Sequence, residues 1–119
     1  MKNLEQIRAK NAMDPAAQRM AGPNGGEVIK KIPPLIMNHG LLAIGAYAFD
    51  EKTGFKGAVD AIARHLADDN IKLLPANYST DTSGLMKYLS TEADSHQLKR
   101  CTAEAIALLN YSRRFIKKG

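Results

Sequence analysis

The stretch TEADSHQLKRCTAEAIALLNYSRRFIK, residues 91–117, separates apolar and basic side chains onto two faces of a helix. At about 100° per residue, the apolar members fall within roughly 60° of one direction. They are Leu98, Cys101, Ala105, Leu108, Leu109, Phe115 and Ile116. The opposite face collects Lys99, Arg100, Arg113, Arg114, Lys117 and Lys118. The pattern predicts an amphipathic last helix that starts at Thr91, with Asp94 following in its first turn, and runs to about Lys117.

Three other positions of this helix carry predictions of their own. Cys101 lies on the apolar stripe and is expected to be a small core residue. Glu104 is the nearest acid and is expected at the margin of the exposed basic face. Ile106 points away from the apolar stripe, so we expect it to contact another element or another subunit.

The rest of the chain shows further helical patterns. Asn3 with Gln6 predicts a capping box at the start of the first helix, and Phe55 to Leu66 has the spacing of an amphipathic helix. Leu41 to Phe49 is apolar nearly all round, which predicts the most buried helix. Pro33-Pro34 is expected to end one helical turn and start another, because a residue before proline disfavours the α region.

Small residues mark the places where helices are expected to meet. Gly40 is expected to be either a helix C-cap or a site of close helix contact. Ala43, Gly45, Ala46 and Ala48 are expected to let neighbouring helices approach closely.

Length and pattern together predict the fold class. The chain has 119 residues, the size of one domain, with 45% hydrophobic and 24% charged residues, as in soluble globular domains. The sequence shows neither a strand with convincing alternation nor a repeat or a long linker. It therefore predicts an all-α fold, a compact single-domain bundle of about five to six helices over residues 1–119.

Basic residues are concentrated toward the two ends of the chain. Seventeen Lys+Arg against twelve Asp+Glu give a net charge of +5 and a pI near 9.4. Residues 1–31 carry six bases and three acids, residues 32–86 four and six, and residues 87–119 seven and three. A basic surface favours a polyanionic partner, nucleic acid or anionic lipid, although plain solubility also accounts for a charge of this size.

Cysteine usage and hydropathy bear on the compartment. The lone Cys101 cannot form an internal disulfide, which is typical of a reducing compartment. The first residues lack an apolar stretch of signal-peptide length, and Leu41 to Phe49 falls well short of the ~20 residues that span a bilayer. The sequence predicts a cytoplasmic protein without a membrane partner.

Catalytic and metal-binding patterns are weak. None of His39, His65 and His96 pairs with another His or with Cys101 at metal-site spacing, so neither a metal nor another cofactor is expected. His65 with Asp68-Asp69 is expected in a solvated turn at a helix end, with a hydrolase site as the alternative. Because no Ser, Cys or Lys has an evident activating base, the chain is not expected to be an enzyme.

Four sequence blocks, in order, resemble one known family. They are LEQIRAK (Leu4 to Lys10), IPPLIMNHGLLAIGAYAF (Ile32 to Phe49), YLSTEA (Tyr88 to Ala93) and LLNYSRRF (Leu108 to Phe115). Because these blocks occur in the same order and the total length agrees, the chain resembles the small-subunit family of the Cmr complex, the type III-B CRISPR RNA-guided effector.

The resemblance implies a compact all-α subunit without catalytic residues. Several copies of such proteins stack along the effector, beside the subunits that hold the guide RNA. Their basic faces line a channel for the guide–target duplex or the target strand, and another subunit cleaves the RNA. The expected partners are therefore RNA, other effector-complex subunits and further copies of this chain.

Basic side chains are predicted to contact the RNA backbone without regard to sequence. The predicted RNA-binding residues are Arg8, Lys10, Lys30, Lys31, Lys99, Arg113, Arg114 and Lys117. The dipole of the last helix accounts for the bases in its final turns without any function, but not for Lys99 and Arg100.

Two further hypotheses concern protein contacts. The acidic middle of the chain, with Asp68-Asp69, is expected to meet a neighbour's basic end in head-to-tail stacking. The alternative to RNA binding is a helical scaffold that holds neighbouring subunits through Ile106 and the apolar helix near Leu41.

Overall fold

The helices enclose a core to which each of them contributes. The computed structural model describes residues 3–14, 27–50 and 55–115. These ranges contain five α-helices and no strand, which confirms the predicted all-α fold. The helices are α1 (Leu4–Met13), α2 (Glu27–Ala48), α3 (Lys56–Leu66), α4 (Thr82–Thr91) and α5 (Ser95–Phe115). The sequence also predicts a kink or a restart of the first helix at Asp14-Pro15 and a turn at Lys52-Thr53-Gly54, but residues 15–26 and 51–54 lie outside the described residues.

Helix α5 is the centre of the bundle and packs against α1, α2 and α3. Its buried side includes Cys101, Ala105, Leu108 and Leu109, as the apolar stripe predicted. Phe115 was predicted in the core but is 38% exposed. It lies in the last described turn of α5.

The most buried helix is α3 rather than the predicted segment Leu41 to Phe49. Seven of the eleven residues of α3 are buried, because α2, α4 and α5 all pack against it. In the segment from Leu41, the side chains of Ala43, Ala46 and Tyr47 are exposed. An apolar sequence shows that a helix could be buried, but how much of it is buried depends on how many other helices pack against it.

Helix α2 breaks at Gly40 and continues through its two prolines. Pro33 and Pro34 lie within the helix, so the predicted end of a turn at this pair is wrong. Gly40 has φ 85° and ψ 159°, a backbone region that is essentially restricted to glycine. The Leu41 N–H that follows the break donates to Thr102 Oγ1 of α5 at 3.3 Å. Gly40 thus ends one helical segment and ties the start of the next to α5.

Side-chain caps fix the starts of α1 and α5. The predicted capping box is confirmed: Gln6 N donates to Asn3 Oδ1 at 2.8 Å, and Asn3 N donates to Gln6 Oε1 at 2.9 Å. The same reciprocal pair opens α5, where Asp94 and Gln97 exchange hydrogen bonds of 2.8 and 2.9 Å. The predicted start at Thr91 is wrong, because Thr91 is the last residue of α4.

Close helix approach occurs at Gly45, one of the small residues singled out above. A Cβ built on Gly45 would lie 2.3 Å from Met86 Sδ of α4, so only glycine fits without moving Met86. Ala48 is also buried, whereas Ala43 and Ala46 face outward and bring no helix near.

We expect Gly40→Ala to lower the free energy of unfolding by about 1–3 kcal/mol, through backbone strain alone. Steric overlap does not contribute, because a Cβ at Gly40 meets nothing within 4 Å. Urea denaturation measures the loss, and Asn38→Ala, at an exposed position nearby, serves as control. A Gly40→Ala protein as stable as the parent would contradict the positive φ assigned to this residue.

Candidate nucleic-acid interface

Glu104 is buried beneath α1 instead of lying at the margin of the exposed face of α5. Its residue is only 7% exposed, which corrects the sequence-based expectation. Arg8 of α1 donates from Nε to Glu104 Oε2 at 2.7 Å and from Nη2 to Oε1 at 2.8 Å. This two-pronged pair is the strong form of an arginine–carboxylate contact, and it fastens α1 onto α5.

His65 joins the same carboxylate from α3. The predicted solvated turn is wrong for this residue, which is 2% exposed. His65 Nε2 lies 2.8 Å from Glu104 Oε2, and Nδ1 lies 2.8 Å from Asn11 Nδ2. An amide nitrogen only donates, so Nδ1 is the acceptor toward Asn11 and Nε2 faces the Glu104 carboxylate. Both ring nitrogens are engaged inside the protein, one with Asn11 and the other with Glu104.

The charges of the pair stabilise each other. Burial by itself raises the pKa of Glu104, but hydrogen bonds from Arg8 and His65 outweigh it and hold the pKa at about 2. The same carboxylate raises the pKa of Arg8. Glu104 is therefore an anion whose charge is cancelled within the bundle.

Burial of Glu104 leaves no exposed acid on the described part of α5, so that every exposed Lys, Arg, Asp or Glu of this helix is a base. Glu104 is the single acid in the sequence from Ser95 to Phe115. The exposed bases of this helix are Lys99, Arg100, Arg113 and Arg114, which we call the α5 basic face. At ~1.5 Å per residue, its two ends, Lys99 and Arg114, lie about 22 Å apart along the helix.

The other predicted RNA-binding residues take different positions. Lys10 is exposed on α1, and Lys30 and Lys31 are exposed on α2. Both helices pack against α5, so these lysines lie on elements that flank the α5 basic face. Arg8 is part of the Glu104 pair, and Lys117 lies outside the described residues.

The two acids expected to mediate stacking differ in their surroundings. Burial acts to raise the pKa of Asp68, yet hydrogen bonds from Asn70 and Asn11 lower it overall. Asn70 N donates to Asp68 Oδ1 at 2.8 Å, and Asn11 Nδ2 donates to Oδ2 at 3.1 Å. Asp69 is exposed. Asp69 is therefore better placed than Asp68 to contact a neighbouring chain.

An apolar groove lies between the break in α2 and the first half of α5. Ile106, predicted to contact another element, packs against the core and lines this groove. Met37 borders it with 69% of its surface exposed, and Lys99 and His39 stand at its edge. The groove therefore joins an apolar surface to one end of the α5 basic face.

Among residues 3–14, 27–50 and 55–115, no three His, Cys, Asp or Glu side chains gather as metal ligands. Within this part of the chain, none of the helices has both the length and the apolarity to cross a bilayer.

The sequence pattern around Glu104 indicates that this carboxylate could be buried. Glu104 follows Cys101 by three residues and precedes Leu108 by four, so it belongs to the edge of the apolar stripe. Asn11 and its contact with His65 had no such signal, because the two residues are 54 positions apart.

The fold and its surface define a class of protein. An all-α domain with a basic helix face that has no exposed acid, next to an apolar groove, is suited to assembly with other molecules. A family model described as CRISPR-associated protein (Cas_Cmr5) matches residues 4–118. The chain belongs to this family, the small subunits of the type III-B CRISPR Cmr complex, and the predicted resemblance is confirmed. Neither the comparison with curated proteins nor that with solved structures gave a match.

We expect Glu104→Gln to lower the free energy of unfolding at pH 7 by about 1.5–3 kcal/mol, because Arg8 and His65 lose a charged acceptor. The pKa of Glu104 falls from 4.5 to about 2 on folding, so its contribution is complete above pH 4.5 and is lost as the pH drops toward 2.

Chemical denaturation of parent and variant at pH 7 and at pH 3 measures this difference, which should be smaller at pH 3. Asp69→Asn, at an exposed acid, is the matched control. A difference of the same size at both pH values would contradict the role assigned to the Glu104 carboxylate.

Proposed function

We propose that this Cmr-complex subunit is non-catalytic and binds the backbone of guide or target RNA through the α5 basic face. Several copies stack along the effector, so that their basic faces follow the RNA. The chemistry of RNA cleavage resides in another subunit. Lys10, Lys30 and Lys31, on the helices beside α5, add to the positive surface.

The burial of Glu104 is the observation that carries the RNA-binding proposal. An acid among four exposed bases would repel phosphates, and here Arg8 and His65 withdraw it from the surface. Lys99 and Arg100 add weight because they lie in the first half of α5, where a cation gains nothing from the helix dipole. A phosphate ligand accounts for both ends of the face, since ammonium and guanidinium groups contact phosphates whatever the base sequence.

Opposite charges support the stacking part of the proposal. Residues 32–86 carry two more acids than bases, with six against four, while residues 87–119 carry four more bases than acids, with seven against three. Such a polarity favours a head-to-tail contact that repeats along an open assembly. The exposed Asp69 is one acid available to meet a neighbour's bases.

Removing the charges of Lys99 and Arg100 should weaken RNA binding and flatten its salt dependence. For Lys99→Gln/Arg100→Gln we expect the log–log salt slope with a single-stranded RNA to fall by ~1.4, or ~0.7 for each lost phosphate contact. Fluorescence anisotropy between 50 and 200 mM salt measures the slope. Thermal stability should stay the same, because neither side chain is buried.

The matched control removes the same charge elsewhere. Lys72→Gln/Lys87→Gln changes two exposed lysines that lie off α5. We expect its slope to remain that of the parent. Equal slopes for both double variants would contradict RNA binding by the α5 basic face, and would favour a general charge effect.

A second candidate function is a scaffold contact through the apolar groove. Exposed apolar surface of this kind is typical of protein interfaces, and Met37 is the most exposed large apolar side chain of the described residues. Because Lys99 and His39 border the groove, it suits a neighbouring effector subunit that offers an apolar side chain beside an acid.

For the scaffold role, we expect Met37→Gln to weaken incorporation into the reconstituted complex about tenfold or more, from the loss of one buried apolar side chain. Met13→Gln is the control, because Met13 is similarly exposed, at 61%, on α1 and away from the groove. Size-exclusion chromatography of titrated mixtures measures incorporation. If both variants assemble like the parent, the groove is not a subunit contact.

A further inference from the structure

A polar cleft lies between α1 and the second half of α5, beside the α5 basic face. It is lined by Glu5, Arg8, Ala107, Asn110, Tyr111 and Arg114. Its volume of about 300 Å³ is at the lower end of the range for small-molecule sites. The cleft is thus large enough for one flat ring system and too small for a folded segment of protein.

The charge balance of the cleft disfavours a phosphate inside it. The charge of Arg8 is cancelled by Glu104, and Glu5 brings a second carboxylate. Glu5 accepts hydrogen bonds from Arg8 Nη1 at 2.5 Å and from the Tyr111 hydroxyl. With Arg114 as the remaining cation of the lining, the charges of the cleft cancel, so it has no net attraction for an anion and suits a neutral polar group.

The cleft also offers what a nucleobase requires. The exposed amide of Asn110 supplies one donor group and one acceptor, which matches the mixed edge of any base. The short side chain of Ala107 leaves room for a ring, and the half-buried Tyr111 adds an aromatic wall. Unpaired RNA bases are held elsewhere by this combination of stacking and amide hydrogen bonds.

Arg114 connects the cleft to the RNA-binding surface. It lines the cleft and belongs to the α5 basic face as well. A phosphate at Arg113 and Arg114 would leave its attached nucleoside next to the opening of the cleft.

We propose that this cleft holds an unpaired nucleobase of the bound RNA strand, while Arg114 contacts the adjoining phosphate. The inference rests on the proposed function, since it adds a base contact to backbone binding. Both purines and pyrimidines present donors and acceptors to Asn110, so the site selects an unpaired base without selecting its identity.

Two ten-nucleotide strands with the same phosphates test the proposal. One is decauridylate, and the other is its abasic counterpart, which carries ribose and phosphate but no bases. We expect the full-length protein at low salt to bind decauridylate about five- to tenfold more tightly, the effect of stacking one base. Ala107→Leu, which fills the cleft, should abolish this preference and leave the salt slope unchanged.

Control variants separate the cleft from the rest of the helix. Ala103→Leu makes the same change one turn earlier on an exposed position outside the cleft, and should keep the preference. Asn110→Ala, also at an exposed position, should reduce the preference even if Ala107→Leu disturbs folding.

The outcomes distinguish this inference from the proposed function. Equal binding of both strands, with a normal salt slope, overturns the nucleobase site and leaves backbone binding intact. Failure to bind either strand at low salt overturns both. A preference that persists in Ala107→Leu and Asn110→Ala shows that the base is held elsewhere, and also overturns the proposed site.

Discussion

The ion pair between Arg8 and Glu104 is the contact on which the architecture and the surface charge both depend. It joins α1 to α5, and through the His65 ring it joins α3 to the same carboxylate. A buried carboxylate is costly unless its oxygens are satisfied, and here Arg8 and His65 supply three donors. The same contacts keep Glu104, the single acid between Ser95 and Phe115, away from the surface of α5. The Glu104 carboxylate thus determines both how α1 and α3 pack on α5 and the charge of the outer face of α5.

Patterns within a single helix predicted structure well in this chain. The apolar stripe of α5 as far as Leu109, the amphipathic α3 and the Asn3–Gln6 capping box need only local geometry, and these are confirmed. Degree of burial was harder to predict, since it depends on how many helices surround an element. At Gly40 the sequence left two alternatives, a helix C-cap and a close helix contact, and the backbone break observed there agrees with the first.

At the candidate site, the sequence could not predict which residues from distant parts of the chain would come into contact. A helical wheel gives the direction of Arg8 on α1, but not that α1 lies over Glu104, which is 96 positions away. Arg8, which was predicted to be a surface cation, is instead paired with Glu104 between α1 and α5. Exposure of Lys99, Arg113 and Arg114 could be predicted, because it follows from the wheel of α5 alone. Their contact with RNA remains a proposal that chemistry and family membership support.

The Asn11 amide links α1 to the last turn of α3 and to the turn that follows it. Its nitrogen lies 2.8 Å from His65 Nδ1 and donates to Asp68 Oδ2 at 3.1 Å. If the amide were reversed, its oxygen would face the Asp68 carboxylate, and two acceptors would meet without a proton between them. The orientation of one side-chain amide on the first helix thereby holds two groups that lie 54 and 57 residues away.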